Sequence, residues 1–409
     1  MKMKIKTIFY ATILTFLCSC NQSVKTISIE NPCNYTRKEI VETKIPFSDC
    51  NNLNIKTEDG KNVAYQITKD QKLLFPIEIE PHAKVNLIVT KNNGSKPTFD
   101  TLACGNKYPE RLDDLAWEND LSAYRTYGPA LEKTGEQGYG YDIWVKRVEY
   151  PVVKERYALE LNAETCRLRD SLFATKKPED HDSAWAIIRK SSYHFDHGNG
   201  LDCYKVGPTL GCGTSALMID NQIVYPWCYK DLEIIENGPL RFKAAITFKE
   251  ITIDDKKFVE KRTITLDAFS HLNYVEVEYQ GLKDTNDVVI GLVIHQDENP
   301  QMQFSENFIS CADPTDRPKD DFGNIFTGVV FLSPKIQNSY YQQFDTIEVK
   351  QRGALGHVLG ITKLPPNEKL CYYFGSAWSK YGVSTFEEWN NYLKNYAQNI
   401  NNKLIIEIK

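Results

Sequence analysis

The sequence predicts a mainly β protein, in which a small N-terminal β-sandwich precedes a large antiparallel β-sandwich and helices are few. Three observations carry this. Many short runs alternate apolar and polar residues with a period of two. Asn, Asp, Gly and Pro punctuate those runs. Only two stretches carry a helical signature.

Taken in order, residues 1–19 read as a lipoprotein signal peptide. Lys2, Lys4 and Lys6 form a basic start, and residues 5–17 supply an apolar run. That run is shorter than the about 20 apolar residues a bilayer span needs. It closes on Leu17-Cys18-Ser19-Cys20, which makes Cys20 the expected lipidation site, since bulky Leu17 disfavours Cys18. Asn21-Gln22-Ser23 follow without an acidic cluster. The expectation is a periplasmic protein anchored by lipid, facing inward from the outer membrane. An ordinary cleaved secretory signal is the alternative.

Residues 20–100 form the expected small sandwich. Thr26-Ile27-Ser28-Ile29, Leu53-Asn54-Ile55, Val63-Ala64-Tyr65-Gln66-Ile67 and Val85-Asn86-Leu87-Ile88-Val89 alternate, while Asp59-Gly60 and Asn92-Asn93-Gly94 mark turns. Residues 101–409 form the large sandwich. Its strands are read at 241–248, 258–266 and 274–279, with a fully buried strand at 288–294. A helix is predicted over 385–399 with Ser384 as N-cap and Glu387 at the capping-box position, and another over 179–190.

The net charge of -5 argues against a nucleic-acid partner, which needs a basic surface. The 23 Tyr, 19 Phe and 6 Trp suit sugar rings as well as a β core, and as a count alone they favour the core. Beyond Cys18 and Cys20, nine cysteines remain, an odd number that leaves at least one thiol free. None has CxxC spacing, so most are read as small buried apolar residues.

Candidate chemistry concentrates in two stretches. The first runs from Tyr193-His194-Phe195-Asp196-His197 through Asn199, Asp202, Tyr204 and Lys205, with glycines at 198, 200, 207, 211 and 213 to shape the loop. His194 and His197, with Asp196 or Asp202, are also conceivable metal ligands, but their spacing in a glycine-broken loop specifies no geometry. No cofactor is therefore expected, and a divalent metal is left open. The second stretch runs from Trp117 through Asp120 to Tyr127, where Arg125 shares a strand face with Ala123 and Tyr127. Arg125 offers a bidentate fork for a carboxylate, and the competing reading is an internal salt bridge to Glu118 or Asp120. Residues 141–147 read as an adjoining strand. His295 is expected at a strand end facing a cleft, and Trp378 as a stacking platform. No GxSxG elbow, P-loop, HExxH or dinucleotide fingerprint occurs.

Trp117-Glu118-Asn119-Asp120 with Ala123-Tyr124-Arg125 is one of several motifs that occur in order along the mature chain. The others are His197-Gly198-Asn199-Gly200 with Asp202, Tyr204, Lys205, Gly207 and Gly211, then residues 375–378, then Glu388-Trp389. Over residues 30–409 the chain resembles a domain family of unknown function found in lipoproteins of bacterial polysaccharide-utilisation clusters. The resemblance implies a sandwich akin to those of galactose mutarotases and polysaccharide lyases, and an acidic oligosaccharide as partner. The activity it implies is dehydration of the non-reducing-end uronic acid of ulvan-type oligosaccharides to a 4,5-unsaturated sugar. It assigns no role to individual residues.

The reaction needs a neutralised carboxylate, a base for the C5 proton and an acid for the departing 4-hydroxyl. Arg125, with Lys205 in reserve, suits the first task, and His194 or His197 the second. Tyr204 suits the third, or acts as base if a neighbouring cation lowers its pKa. Trp117, Asp120, Tyr127, Asn199, Asp202, His295 and Trp378 are the expected substrate contacts. A glycoside hydrolase or polysaccharide lyase on acidic oligosaccharides, and a non-catalytic glycan-binding lipoprotein, are the alternatives.

Overall fold

The computed structural model describes residues 24–48, 52–253, 256–295 and 299–409. The signal peptide, Cys20 and Cys50 lie outside the described residues. Antiparallel strands dominate, arranged in five sheets.

Two sheets make the N-terminal unit. One orders Ile405–Ile408, Val24–Glu30, Lys84–Lys91 and Leu53–Thr57, and the other orders Arg37–Lys44, Lys72–Ile79 and Gln66–Ile67. Alternation aims Ile27, Ile29 and Val89 of the first sheet at Phe75 and Ile77 of the second, in one core. The last strand of the chain pairs with the first, Ile27 opposite Ile408. The sequence boundary at residue 100 missed this return, because Leu404-Ile405-Ile406 is far too short a signal to say which sheet it joins.

The larger unit is built on a nine-stranded and a five-stranded sheet. Arg241–Thr247, Lys256–Asp267, Leu272–Gln280 and Leu370–Trp378 are neighbours in the first; Arg241–Thr247 and Leu272–Gln280 bury alternate residues, and Leu370–Trp378 alternates as far as Phe374 and is fully buried beyond it. Cys212–Ile219, Asn286–Ile294 and Gly356–Leu364 are neighbours in the second. Asn286–Ile294 is buried on both faces from Val288 onward, as its continuous apolar run predicts. Leu217, Val288 and Ile290 meet Phe242, Ile264, Val275 and Phe374 in one core. Gly213 permits that approach: its φ is +76°, and a Cβ there would sit 2.3 Å from the Cβ of Phe374.

The third sheet of this unit carries the candidate site. It orders Gly200–Asp202, Asp142–Lys146, Ser122–Thr126, Asp114–Glu118 and Cys104–Tyr108. One face sends Leu115, Trp117, Tyr124 and Ile143 into the main core, while the other sends Ala116, Ala123 and Trp144 toward Tyr157 and Tyr193.

Six helices occur among the described residues: α1 (Pro129–Glu132), α2 (Val153–Glu160), α3 (Ala163–Ala174), α4 (Pro178–Ser191), α5 (Thr346–Arg352) and α6 (Phe386–Asn401). The capping box of α6 uses Thr385 and Glu388, one residue beyond the expected pair. Trp389, Leu393 and Ala397 dock it on Phe326 and Val330 of the nine-stranded sheet. The α2–α4 segment is inserted between Asp142–Lys146 and Gly200–Asp202. Glu118 anchors its start, accepting from the backbone of Val152 and Val153 while paired with the buried Lys146 at 2.8 Å. No described helix is long and apolar enough to cross a membrane.

Candidate functional site

Arg125 is the electrostatic centre of the third sheet. Register places it directly opposite Asp142 on the next strand, and Asp202 enters from the strand beyond. Its guanidinium binds the Asp142 carboxylate through Nε at 2.8 Å and also through Nη2, reaches Asp202 at 2.8 Å, and lies 3.8 Å from Asp114. Trp144 and Tyr127 cover its faces, with centroids at 5.5 and 5.4 Å. The Tyr127 hydroxyl donates to Asp142 at 3.3 Å. One cation facing three carboxylates leaves the cluster with surplus negative charge. Burial, aided by Asp142, accordingly pushes Asp202 up to about 7, and burial pushes Asp114 up to about 6.

Two expectations are corrected here. Arg125 is 6 % exposed and fully engaged, so it is not free to clamp a substrate carboxylate. Its partners are Asp142, Asp202 and Asp114 rather than Glu118, which holds Lys146, or Asp120, which accepts from the Phe269 backbone at 2.8 Å.

His194 borders the same cluster from outside. Its Nδ1 donates to the Asp202 carbonyl at 3.0 Å and lies 3.8 Å from the Asp202 carboxylate, while 46 % of its side chain is exposed. A carbonyl can only accept, so Nδ1 carries the proton and Nε2 presents a lone pair. Arg317 donates to the backbone carbonyl of His194 and stacks over Phe322 at 4.7 Å and Phe195 at 5.4 Å. Arg147 pairs with Asp196 at 2.9 Å and lies 4.8 Å over the Trp378 ring. Two partly exposed guanidiniums on aromatic supports therefore lie near this imidazole.

Behind His194 a second polar group is buried. His295 Nδ1 donates to Asp313 at 2.5 Å, and the Tyr204 ring meets the His295 ring edge-on at 5.7 Å. The Tyr204 hydroxyl, His295 Nε2 and Thr315 Oγ1 are all buried without a partner. Thr315 has a φ of +70°, which is strained for a β-branched residue. The segment 313–317 links both groups: Asp313 holds His295, the Asp316 N–H donates to the Cys203 carbonyl at 2.9 Å, and Arg317 holds His194.

The remaining candidates fall elsewhere. His197 is exposed and spends Nε2 on the Ser192 carbonyl at the end of α4, 3.0 Å away. Lys205 is exposed, with its ammonium against Gly353. Trp117 is a core residue, completely buried, with Nε1 donating to Asn273 at 2.7 Å. Asp120 is buried in a turn, where it can meet no ligand. Trp378 is 4 % exposed and donates to the Phe322 carbonyl, so it supports Arg147 and offers no platform of its own. The side-chain oxygen of Asn199 is buried without a partner. All five loop glycines take positive φ. Gly200 is the one the sheet requires, since a Cβ there would lie 1.9 Å from the Val145 carbonyl.

Among the described residues no three His, Cys, Asp or Glu side chains converge as a metal site. The eight described cysteines are all free, five of them buried.

Residues 29–406 match the model of the domain of unknown function DUF4861. The chain belongs to that family. "Uncharacterized protein P7" of Formosa agariphila is 26% identical over 347 residues, which cover 82% of this chain and 78% of that protein. Among solved structures, an alpha-mannosidase from Enterococcus faecalis aligns at 10% identity with a TM-score of 0.42. A protein in the glycosyl hydrolase family 38 from the same species aligns at 9% and 0.43. Both alignments take in 94% of this chain but only 46% and 47% of those chains, so it spans less than half the length of either.

In this DUF4861 chain, sequence reading missed Asp114, Asp142, Arg147, Asp313, Asp316 and Arg317. The run Asp313-Pro314-Thr315-Asp316-Arg317 was the available signal, a polar, proline-broken segment directly after a strand. Chemically, the arrangement offers one open base, His194 Nε2, with a buried anion behind it and guanidiniums near it.

Proposed function

We propose that the protein is a carbohydrate-active dehydratase acting on the non-reducing-end uronic acid of ulvan-type oligosaccharides. The observation that carries this reading is the half-open His194 imidazole, oriented by Asp202 and bonded at its own carbonyl by Arg317. Arg317, rather than Arg125, neutralises the sugar carboxylate, so that charge arising at C5 delocalises into it. His194 Nε2 takes the C5 proton, the C4–O bond breaks, and the same imidazolium returns the proton to the departing hydroxide as water. The C5–H electron pair becomes the C4–C5 double bond, and the enzyme ends unchanged. Asp202 and Arg125 are positioning residues: Asp202 fixes the tautomer and stabilises the imidazolium, and Arg125 holds Asp202.

The proposal places the protein in the periplasm, lipid-anchored through Cys20, as the sequence pattern of residues 1–20 suggests. The deciding experiment incubates purified protein with an oligosaccharide ending in a saturated uronic acid. Loss of one water by mass, with growth of the ultraviolet absorbance of a conjugated uronate, is the expected result. Shortening of the oligosaccharide by hydrolysis, or recovery of unchanged substrate, ends the proposal.

A further inference from the structure

A cavity of about 480 Å³ lies remote from His194, between the N-terminal unit, α6 and the outer face of the nine-stranded sheet. Its floor is set by strand register. Lys243 faces Thr265, Thr265 faces Tyr274, and Tyr274 faces Tyr373, so four half-buried side chains cross four strands in one row. The tyrosine rings continue onto the helix: Tyr274 to Tyr373 is 5.1 Å, Tyr373 to Tyr396 is 5.0 Å, and Tyr396 to Tyr392 is 6.0 Å. The strand Arg37–Lys44 supplies the opposite wall.

We infer that this cleft is a second binding site, for a neutral sugar unit, distinct from the His194 site and independent of the dehydratase reading. Its charges cancel within the wall, since four basic and four acidic side chains line it. Arg241 chelates Asp267 at 2.6 and 2.9 Å and reaches Glu42 at 2.5 Å, and Arg37 pairs with Glu39 at 2.8 Å. The formal charge of the lining therefore sums to zero, with the Lys38 ammonium over the Phe269 ring and Lys243 without an acidic partner in the wall. Uncharged polar groups stay open as well. The Tyr373 and Thr265 hydroxyls and the Asn395 amide have no hydrogen-bond partner among the described residues. Arg37, 5 % exposed, lines the cavity with its Nε unpartnered. A pyranose matches that set, because its C–H face packs on a tyrosine ring while its hydroxyls both donate and accept. The row itself lies on a sheet face, so a ligand packs on it through its side chains and not by strand addition. The volume falls within the roughly 300–1,000 Å³ of small-ligand sites, enough for one or two rings.

The test is saturation-transfer NMR on the whole protein, with methyl glycosides of xylose, rhamnose, galactose and glucose as separate probes at about 10 mM, suited to a millimolar Kd. At least one probe should receive saturation, strongest at ring C–H protons. Tyr274→Ala removes the centre of the row, and Thr265→Trp fills the floor without breaking an ion pair. Each should weaken binding at least ~10-fold, while His194→Ala leaves it unchanged. Circular dichroism checks folding, and Thr265→Trp decides alone if Tyr274→Ala does not fold. Absence of transfer to every probe, survival of binding in both cleft variants, or its loss in His194→Ala overturns the inference. A dehydratase assay that fails while sugar binding persists separates this site from the proposed reaction.

Discussion

His194 and Asp202 are joined by a hydrogen bond of 3.0 Å from the imidazole Nδ1 to the backbone carbonyl, which leaves Nε2 as the only free acceptor on the ring. His197, three residues on, has the opposite arrangement, with Nε2 committed to Ser192. The two histidines therefore separate by role. His194→Ala should lower kcat by ~10²–10⁴-fold with KM changed only a few-fold. His197→Ala should retain most activity and lose about 1 kcal/mol of stability, the worth of one hydrogen bond. Steady-state ultraviolet assays and denaturant unfolding measure the two. Full activity in His194→Ala removes the base from the mechanism.

Asp202 gives a pH signature. Burial raises its folded-state pKa to about 7, well above the ordinary 3.8, so the native state holds a proton that the unfolded chain releases. Stability from this group is full below the ordinary value and is lost as pH rises toward about 7. Asp202→Asn keeps the contact with Arg125 and removes the titration. The variant should match the native protein in acid and exceed its stability above neutrality. In activity the order reverses. The native kcat/KM should climb through neutral pH as Asp202 ionises behind the imidazole, and the Asn variant should lack that limb. Identical pH–rate profiles would contradict the electrostatic role of the Asp202 carboxylate, since the backbone carbonyl that holds Nδ1 is kept in the variant.

The two arginines should fail in different ways. Arg125→Ala leaves Asp142, Asp202 and Asp114 buried without their cation, and breaking such a group costs about 3–5 kcal/mol. Guanidinium titration should show a lower midpoint. Arg317→Ala removes a partly exposed side chain and should leave the midpoint nearly unchanged, while raising KM for the uronate-terminated substrate ~10–100-fold. An unchanged KM in folded Arg317→Ala would assign the substrate carboxylate to another group, with Arg147 next to test.

Arg241–Thr247 and Leu272–Gln280 were legible because one face is wet and alternation survives in sequence. Arg37–Lys44 was not, since only Arg37 and Val41 of its eight residues are buried and four of the other six are charged. Helix α3 escaped for the same reason, having no buried residue and hence no apolar stripe. The loop from His194 to Tyr204 was found from composition alone. The partners of Arg125 could not be, because Asp114, Asp142 and Asp202 come from three strands and only register assembles them. Arg317 is 123 residues from the carbonyl it binds, a separation no local pattern encodes.

A buried histidine outside the His194 cluster predicts acid sensitivity. His357 is completely buried, and its Nε2 accepts from the Leu210 backbone N–H at 3.1 Å, which requires the neutral ring. Burial, with Arg352 and His295 adding repulsion, lowers its pKa from 6.5 to about 3. The unfolded chain therefore binds a proton that the native state refuses. Stability from this group is full above the unfolded value of 6.5 and is lost as pH falls toward about 3. Asp202 and Asp114 push the other way over much of the same window, so the raw curve mixes opposite slopes. His357→Gln isolates the histidine, since a glutamine oxygen can accept from Leu210 and does not titrate. Native and variant unfolding free energies should differ least near pH 4 and increasingly in favour of the native protein toward pH 7. The change across that window should be of order 3 kcal/mol, from about 1.4 kcal/mol per pKa unit. A constant difference at every pH would show that His357 titrates alike in both states.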